Sequence, residues 1–378
     1  MKANSAVKRI CSKLLTPIAF SLTAGISLSG TAVQALTFKF NYSPDIDPRA
    51  LAGFQTASDL WSDLLIDNVT VNLDIGYRAL GSGVLGETGT TLYDRSYSVL
   101  RNALSLDATS TDDAIAVSNL QTGSALDMLI NYTANNPNGS GSATPYFDNN
   151  NSNNNRLALL TGANAKALGL LPADNADSDG SIAFSSLFNF DFDRTDGIDA
   201  DKYDFISVAA HEIGHALGFI SSVDDIDYVA GFLKQTSQYS ENDYLPTTAD
   251  FFRFSSNSIQ YGKSVIDLTA GSTDQYFSID GGNTRIASFS TGQFLGDRRQ
   301  ASHWKDDILT GVYLGIMDPG YSSPVLSRTQ PRFITNNDVM LFDVIGWDRR
   351  AVPEPSTVVG LMVLGAGLLL KGKRQSNC

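Results

Sequence analysis

The sequence predicts a mixed α/β (α+β) domain, and three features predict it. Residues 49 to 67 place Leu51, Phe54, Ala57, Leu60, Trp61, Leu64 and Leu65 on one stripe of a helix. Val69, Val71, Leu73 and Ile75 then alternate with polar residues, the period of a half-buried strand. Residues 203 to 217 form a second helical run whose Val208, Ala209, Ala210, Ile213, Ala216 and Leu217 give it an apolar body, as a helix through the interior requires. Residues 36 to 350 are enough for one large domain or two lobes around a shared cleft.

The remaining elements follow in order. Residues 111 to 132 read as a helix. From Asn135 to Asn155 the chain is rich in Asn, Gly and Ser, the composition of a surface excursion without core-forming side chains. Residues 157 to 171 are helix-compatible, and Ser181 to Asp193, rich in Ile, Phe and Leu, suits a strand. The turn from Asp191 through Asp193, Asp196 and Gly197 to Asp199 has the acidic density of a calcium loop. Glycine falls at its seventh position and the closing glutamate is missing, so a capped turn is the preferred reading and Ca2+ the alternative. Gln275 to Thr291 alternates around Asp280-Gly281-Gly282 and predicts a hairpin. Ile334 to Trp347, with Thr335 and Asn336 as possible caps, predicts a closing helix.

Both ends carry targeting patterns. Residues 1 to 35 combine Lys2, Lys8, Arg9 and Lys13 with an apolar stretch and small residues at Val33 and Ala35, and no acidic residue precedes Asp45. That is the layout of a cleaved secretory signal peptide, read by a signal peptidase. At the other end, Pro353-Glu354-Pro355 precedes 14 uncharged residues, Thr357 to Leu370, and then Lys371, Lys373 and Arg374. A helix of that length reaches about 21 Å, short of a hydrocarbon core of about 30 Å. Residues 351 to 378 resemble a PEP-CTERM sorting signal. The resemblance implies transient inner-membrane anchoring through a short transmembrane helix and recognition by an exosortase-type enzyme. It also implies release to the cell surface or extracellular matrix of a Gram-negative-type bacterium.

Between those ends, 20 basic residues face 39 acidic ones, a net charge of −19. Such a balance excludes nucleic acid as a partner and favours solubility outside the cell. The only cysteines are Cys11 and Cys378, so residues 36 to 350 hold no disulfide and no thiolate ligand. Any zinc site there draws on His, Asp, Glu or Tyr.

Two of the chain's three histidines stand four apart in His211-Glu212-Ile213-Gly214-His215. On a helix that spacing puts both imidazoles on one face, in reach of a single Zn2+. Glu212 can then take a proton from an attacking water without binding the metal itself. Gly218 is a natural helix end. The motif alone has many chance matches, and two hydrogen-bonded core histidines are the bland alternative. The third ligand stays open among His303, Asp224 or Asp225, and Glu241, because Ser221 occupies the place where a short extended motif puts its ligand.

His303-Trp304, followed 14 residues later by Met317 in Gly315-Ile316-Met317-Asp318-Pro319, completes a pattern with His211, Glu212, His215, Gly218 and Phe219. From residue 203 to about 320 the chain resembles the leishmanolysin-type metzincins, without their dense cysteine framework. The resemblance implies a zincin-like metallopeptidase fold with two lobes around an active-site cleft. It also implies His303 as third zinc ligand, residues 219 to 302 as an insertion between the second and third ligands, and Met317 as the floor of the site. Tyr321, four residues beyond, stands where some metzincins place a metal-binding or oxyanion-steadying tyrosine, or else packs as an ordinary aromatic. The expected activity is that of an exported zinc endopeptidase acting on protein or peptide substrates. A non-catalytic surface or matrix protein with a structural zinc is the alternative, and a hydrolase of non-peptide substrates a third reading.

Overall fold

The computed structural model describes residues 36–271, 274–321 and 329–350. The expected signal peptide (residues 1 to 35) and sorting segment (residues 351 to 378) lie outside these residues. The described chain is mixed α+β, and all of it belongs to one compact unit. No helix among the described residues is long and apolar enough to cross a membrane.

Eight strands build the first part: β1 (Thr37–Tyr42), β2 (Thr70–Arg78), β3 (Gly86–Thr90), β4 (Leu92–Ser96), β5 (Met128–Ile130), β6 (Tyr146–Asp148), β7 (Leu157–Thr161) and β8 (Gly180–Ser185). The α-helices are α1 (Pro48–Ser62), α2 (Tyr97–Asp107), α3 (Thr111–Asn119), α4 (Asn153–Arg156), α5 (Gly162–Ala167), α6 (Phe205–Leu217), α7 (Val223–Asp227), α8 (Asp307–Thr310) and α9 (Asn336–Val344).

The main sheet has the order β1-β2-β8-β3. β1, α1 and β2 form a parallel crossover, with Thr37 opposite Thr70 and Phe40 opposite Leu73. β8 continues the sheet in parallel, Leu73 facing Gly180. β3 closes it antiparallel, Thr88 facing Ile182, and is its edge. Val71, Leu73 and Ile75 of β2 are buried while their neighbours are half-buried, the alternation expected of a strand with one packed face.

α1 and α6 lie against each other and against this sheet. Gly53 permits the close approach, since a Cβ there would stand 2.4 Å from Phe205 Cδ1. Phe54 and Phe184 pack around Phe205 with centroid separations of 5.2 and 4.3 Å. Each of these rings is fully buried, which stabilises the fold by roughly 1.5–3 kcal/mol per side chain. Trp61 fixes the helix pair further by donating its indole N–H to Ala210 O at 2.9 Å.

Three expectations are corrected. The helix expected over 111 to 132 stops at Asn119, and Met128–Ile130 is instead strand β5, paired with β6 and with Ile266–Asp267. The apolar run 157–161 is strand β7, antiparallel to β4, and only 162–167 is helical. A short apolar run carries no period that separates a buried strand from a buried helix, so its pairing partner decides. The Asn-rich stretch is not a bare excursion. Asn154 and Asn155 are fully buried, and Asn155 Nδ2 donates to Leu126 O at 2.7 Å. The amides can pack inside because each is hydrogen-bonded: Asn155 satisfies main-chain groups, and Asn154 Nδ2 donates to the Asp148 carboxylate at 2.7 Å. The predicted hairpin forms, with Gln275–Phe277 antiparallel to Ala287–Ser288, and α9 begins at Asn336 after Thr335 as its cap.

Candidate metal centre

Asp204 starts α6 by accepting from Ile206 N at 3.0 Å, one of the donors a helix start leaves unpaired. Thirteen residues later Leu217 ends it, and Gly218 at φ 129° turns the chain, a conformation that disfavours any side chain. That turn brings Phe219 O back to 2.8 Å from His215 Nδ1.

The structure brings His211, His215 and His303 together. Their Nε2 atoms stand 3.1 Å (211 to 303), 3.2 Å (211 to 215) and 3.3 Å (215 to 303) apart. Three nitrogens held at about 2.0–2.1 Å from one tetrahedral ion lie about 3.3–3.4 Å from each other. Each Nδ1 already faces a carbonyl: Ile316 O at 2.8 Å for His211, Phe219 O at 2.8 Å for His215 and Gln300 O at 3.2 Å for His303. A carbonyl only accepts, so each Nδ1 carries the proton and each Nε2 presents a lone pair. Three lone pairs converging on one point repel unless a cation lies between them.

Burial holds all three rings in the neutral form, the form that can ligate a metal. It brings His211 down to about 3 with help from His215, brings His215 down to about 4, and holds His303 well below the usual imidazole range. His211 and His215 are only half-buried, so the convergence point opens towards solvent. No further carboxylate or thiol joins this group among the described residues. Three protein ligands and an open fourth position are the arrangement of a catalytic rather than a structural zinc.

Glu212, 5 % exposed, is not one of that group and has its carboxylate against the sheet edge. Thr88 of β3 bonds it with its hydroxyl, 2.7 Å from Oε2 and 2.9 Å from Glu212 O. A Cβ on Gly86 would stand 2.8 Å from Glu212 Oε1, so the edge strand lies directly on the carboxylate. Burial pushes the Glu212 carboxyl up to about 7, with the Thr88 bond pulling the other way. That value suits a proton acceptor at neutral pH.

Met317 is fully buried, and a Cβ on Gly214 would stand 2.4 Å from its sulfur. The thioether therefore sits against the helical turn that separates His211 from His215. Trp304 N donates to Met317 O at 3.0 Å, which joins the third histidine's segment to the methionine turn. Asp338 of α9 binds both, accepting from Trp304 Nε1 at 2.8 Å and from Ile316 N at 2.9 Å.

Other candidates stand elsewhere. Asp225 is exposed and outside the histidine group. Asp224 accepts from Ala301 N at 2.5 Å and Ser302 N at 3.0 Å. Glu241 accepts from Tyr146 Oη at 2.8 Å and Asn150 Nδ2 at 2.5 Å, within the Asn-rich region. Tyr321 uses its hydroxyl to accept from Asp204 N at 2.8 Å, which caps α6 seven residues, or about 10 Å of helix rise, before His211. The packed-aromatic reading of Tyr321 fits this placement, since its ring also meets Tyr203 at 5.2 Å. The carboxylates of the 191–199 turn do not converge. Asp191 spends its oxygens on Asp193 N and Asp199 N, which makes the turn a capped one. Asp306, Asp307 and Asp318 do converge, but Arg299 lies 2.6 Å from Asp306 and Asp307 N donates to Asp318. That knot ties the His303 segment to the methionine turn.

Thr88, Gly86, Gly214 and Asp338 are site residues that spacing alone does not reveal. Of these, only Gly214 lay inside a visible motif. No protein-family model, curated protein or solved structure matches the chain.

Proposed function

We propose that this chain is an exported zinc-dependent endopeptidase in which His211, His215 and His303 hold the metal and Glu212 is the general base. The observation that carries this reading is the convergence of three Nε2 atoms at 3.1 to 3.3 Å, the spacing of a tetrahedral zinc face. When bound there, zinc supplies a Lewis acid that raises the acidity of water and polarises a carbonyl. Glu212 takes the proton of the attacking water and passes it to the leaving amine. Thr88 keeps one carboxylate oxygen in place, so the other is the one free to act. A structural zinc has no use for a buried glutamate in this position.

The edge strand favours a peptide over other substrates. β3 pairs only with β8 in its sheet, and it carries Gly86 and Thr88 against Glu212. An extended peptide added along this edge gains main-chain hydrogen bonds and passes directly by the general base. In this reading the cleft lies between two lobes, one bearing the β1-β2-β8-β3 sheet and the other bearing His303 and the methionine turn. Residues 1 to 35 direct export, and residues 351 to 378 act as the sorting anchor that leads to surface release. The test is cleavage of a mixed peptide library. Cleavage that chelator abolishes and stoichiometric zinc restores supports the reading, and a zinc-loaded protein that cuts none of the peptides contradicts it.

A further inference from the structure

His303 enters the site after the long insertion, and its ring has the longest of the three Nδ1 contacts, 3.2 Å to Gln300 O. That carbonyl belongs to the same peptide group as Ala301 N. The N–H end of this peptide donates to Asp224 Oδ1 at 2.5 Å, while the C=O end accepts from His303. A line of contacts therefore runs from the Asp224 carboxylate through one peptide group to the imidazole and on to the convergence point.

The same carboxylate holds the next residue as well. Ser302 donates to Asp224 Oδ2 through its N–H at 3.0 Å and through its hydroxyl. From the other side, buried Arg253 donates Nη2 to Ala301 O at 2.5 Å, and Asp250 in turn holds Arg253. Asp224 itself sits on α7, five residues after Phe219, whose carbonyl orients His215. The element that follows the second histidine thus also places the third.

We infer that Asp224 is the positioning carboxylate of the metal site, orienting His303 through the Gln300–Ala301 peptide rather than ligating. Imidazole ligands usually hand their second N–H to a carboxylate or carbonyl, which fixes the ring and raises its basicity. Here the two roles are in series, since the carbonyl orients the ring and the carboxylate orients and polarises the carbonyl's peptide. The inference rests on the metal reading above.

The test compares the full chain with Asp224→Asn, His303→Ala and Asp179→Asn. The last removes the charge of a buried carboxylate bound to Lys166 and to Asn72 N, so it controls for general loss of stability. Zinc affinity is measured by chelator competition, and coordination by the visible absorption of the Co2+-loaded protein. Asp224→Asn is expected to weaken zinc by about 10–100-fold and to move the Co2+ spectrum towards that of His303→Ala. Asp179→Asn is expected to keep wild-type affinity and spectrum even where its melting temperature falls. Wild-type affinity and spectrum in Asp224→Asn would overturn the inference and leave the metal site standing. No zinc or Co2+ in any of the four proteins would overturn both. Should Asp224→Asn fail to fold, Ser302→Ala carries the test. Removing one of the bonds to the same carboxylate weakens zinc several-fold if the inference holds, and unchanged affinity there overturns it.

Discussion

His211 Nδ1 donates to Ile316 O at 2.8 Å, so the residue before Met317 orients the first histidine from 105 positions away. Asp338 holds the N–H of the same Ile316 at 2.9 Å and the indole N–H of Trp304 at 2.8 Å. One buried carboxylate on α9 therefore steadies both the turn under the site and the neighbour of the third histidine. Metal ligands need placement to a few tenths of an ångström, and this cross-bracing supplies it from outside α6.

The fit of Met317 under α6 predicts the effect of one methyl group. Gly214→Ala puts a Cβ 2.4 Å from the Met317 sulfur and 3.4 Å from Trp61 Cζ2. Overpacking of that kind costs about 1–3 kcal/mol. The expected result is a melting temperature several degrees lower, with weaker zinc retention, read by calorimetry and chelator competition. A variant as stable as wild type would show that the turn has more room than described.

Glu212→Gln removes the proposed base and keeps the shape. Zinc content should be unchanged, and kcat should fall by about 10²–10⁴. Thr88→Val, which leaves the carboxylate without its hydroxyl partner, should lower kcat by about tenfold at unchanged zinc content, within the usual worth of a charge-assisted bond. Full activity in Glu212→Gln would remove Glu212 from the mechanism.

A pH effect on stability follows from carboxylates far from the metal. Burial and the neighbouring Asp348 push Asp67 up to about 8 and Asp107 up to about 7. Burial likewise pushes Asp343 up to about 7, with the Ser110 hydroxyl and Arg349 opposing. Their pKa values in the unfolded chain are lower, so the folded form binds more protons and loses stability as pH rises through about 7 to 8. The three histidines, neutral in the fold, are still about one-third protonated in the unfolded chain at the lower end of that window, and they oppose the trend by only about 0.2 kcal/mol each. The melting temperature should therefore drop by several degrees between about pH 6.8 and 8.5, and Asp67→Asn should flatten the slope. A melting temperature that rises over this range would contradict the assignment.

Asn155→Ala tests the interior role of the Asn-rich segment. It strips buried Leu126 O of the 2.7 Å bond from Asn155, while Ser152 N, which also loses Asn155, keeps Asn150 Oδ1 at 2.8 Å. Buried groups left unpaired cost about 1–3 kcal/mol each, so the denaturation midpoint should fall clearly. Asn149→Ala, at an exposed position nearby, should leave it unchanged.

The elements that a period or a motif announces were legible from the residues. α1, β2 and α6 follow from apolar spacing, Gly218 from its place after the last apolar residue, and His211 with His215 from their four-residue separation. His303 came from the order of His303, Trp304 and Met317, and the structure puts its ring beside the other two. What stayed hidden is of another kind. Asp224, Asp338 and Thr88 act on backbone groups or on a single side chain brought close by folding, and no spacing along the chain encodes such contacts. The 157–161 run became a strand because β4 offered it a partner, a fact of tertiary structure. The asparagines read as a loop because their burial depends on hydrogen-bond partners that only the fold creates.

The most direct measurement is zinc content by elemental analysis of the purified wild-type chain beside His303→Ala. One zinc per chain, lost or much weakened in the variant, is the predicted result, because His303 Nε2 supplies one of the three converging lone pairs. A wild-type chain without zinc, or a variant that keeps it undiminished, would contradict a three-histidine metal centre.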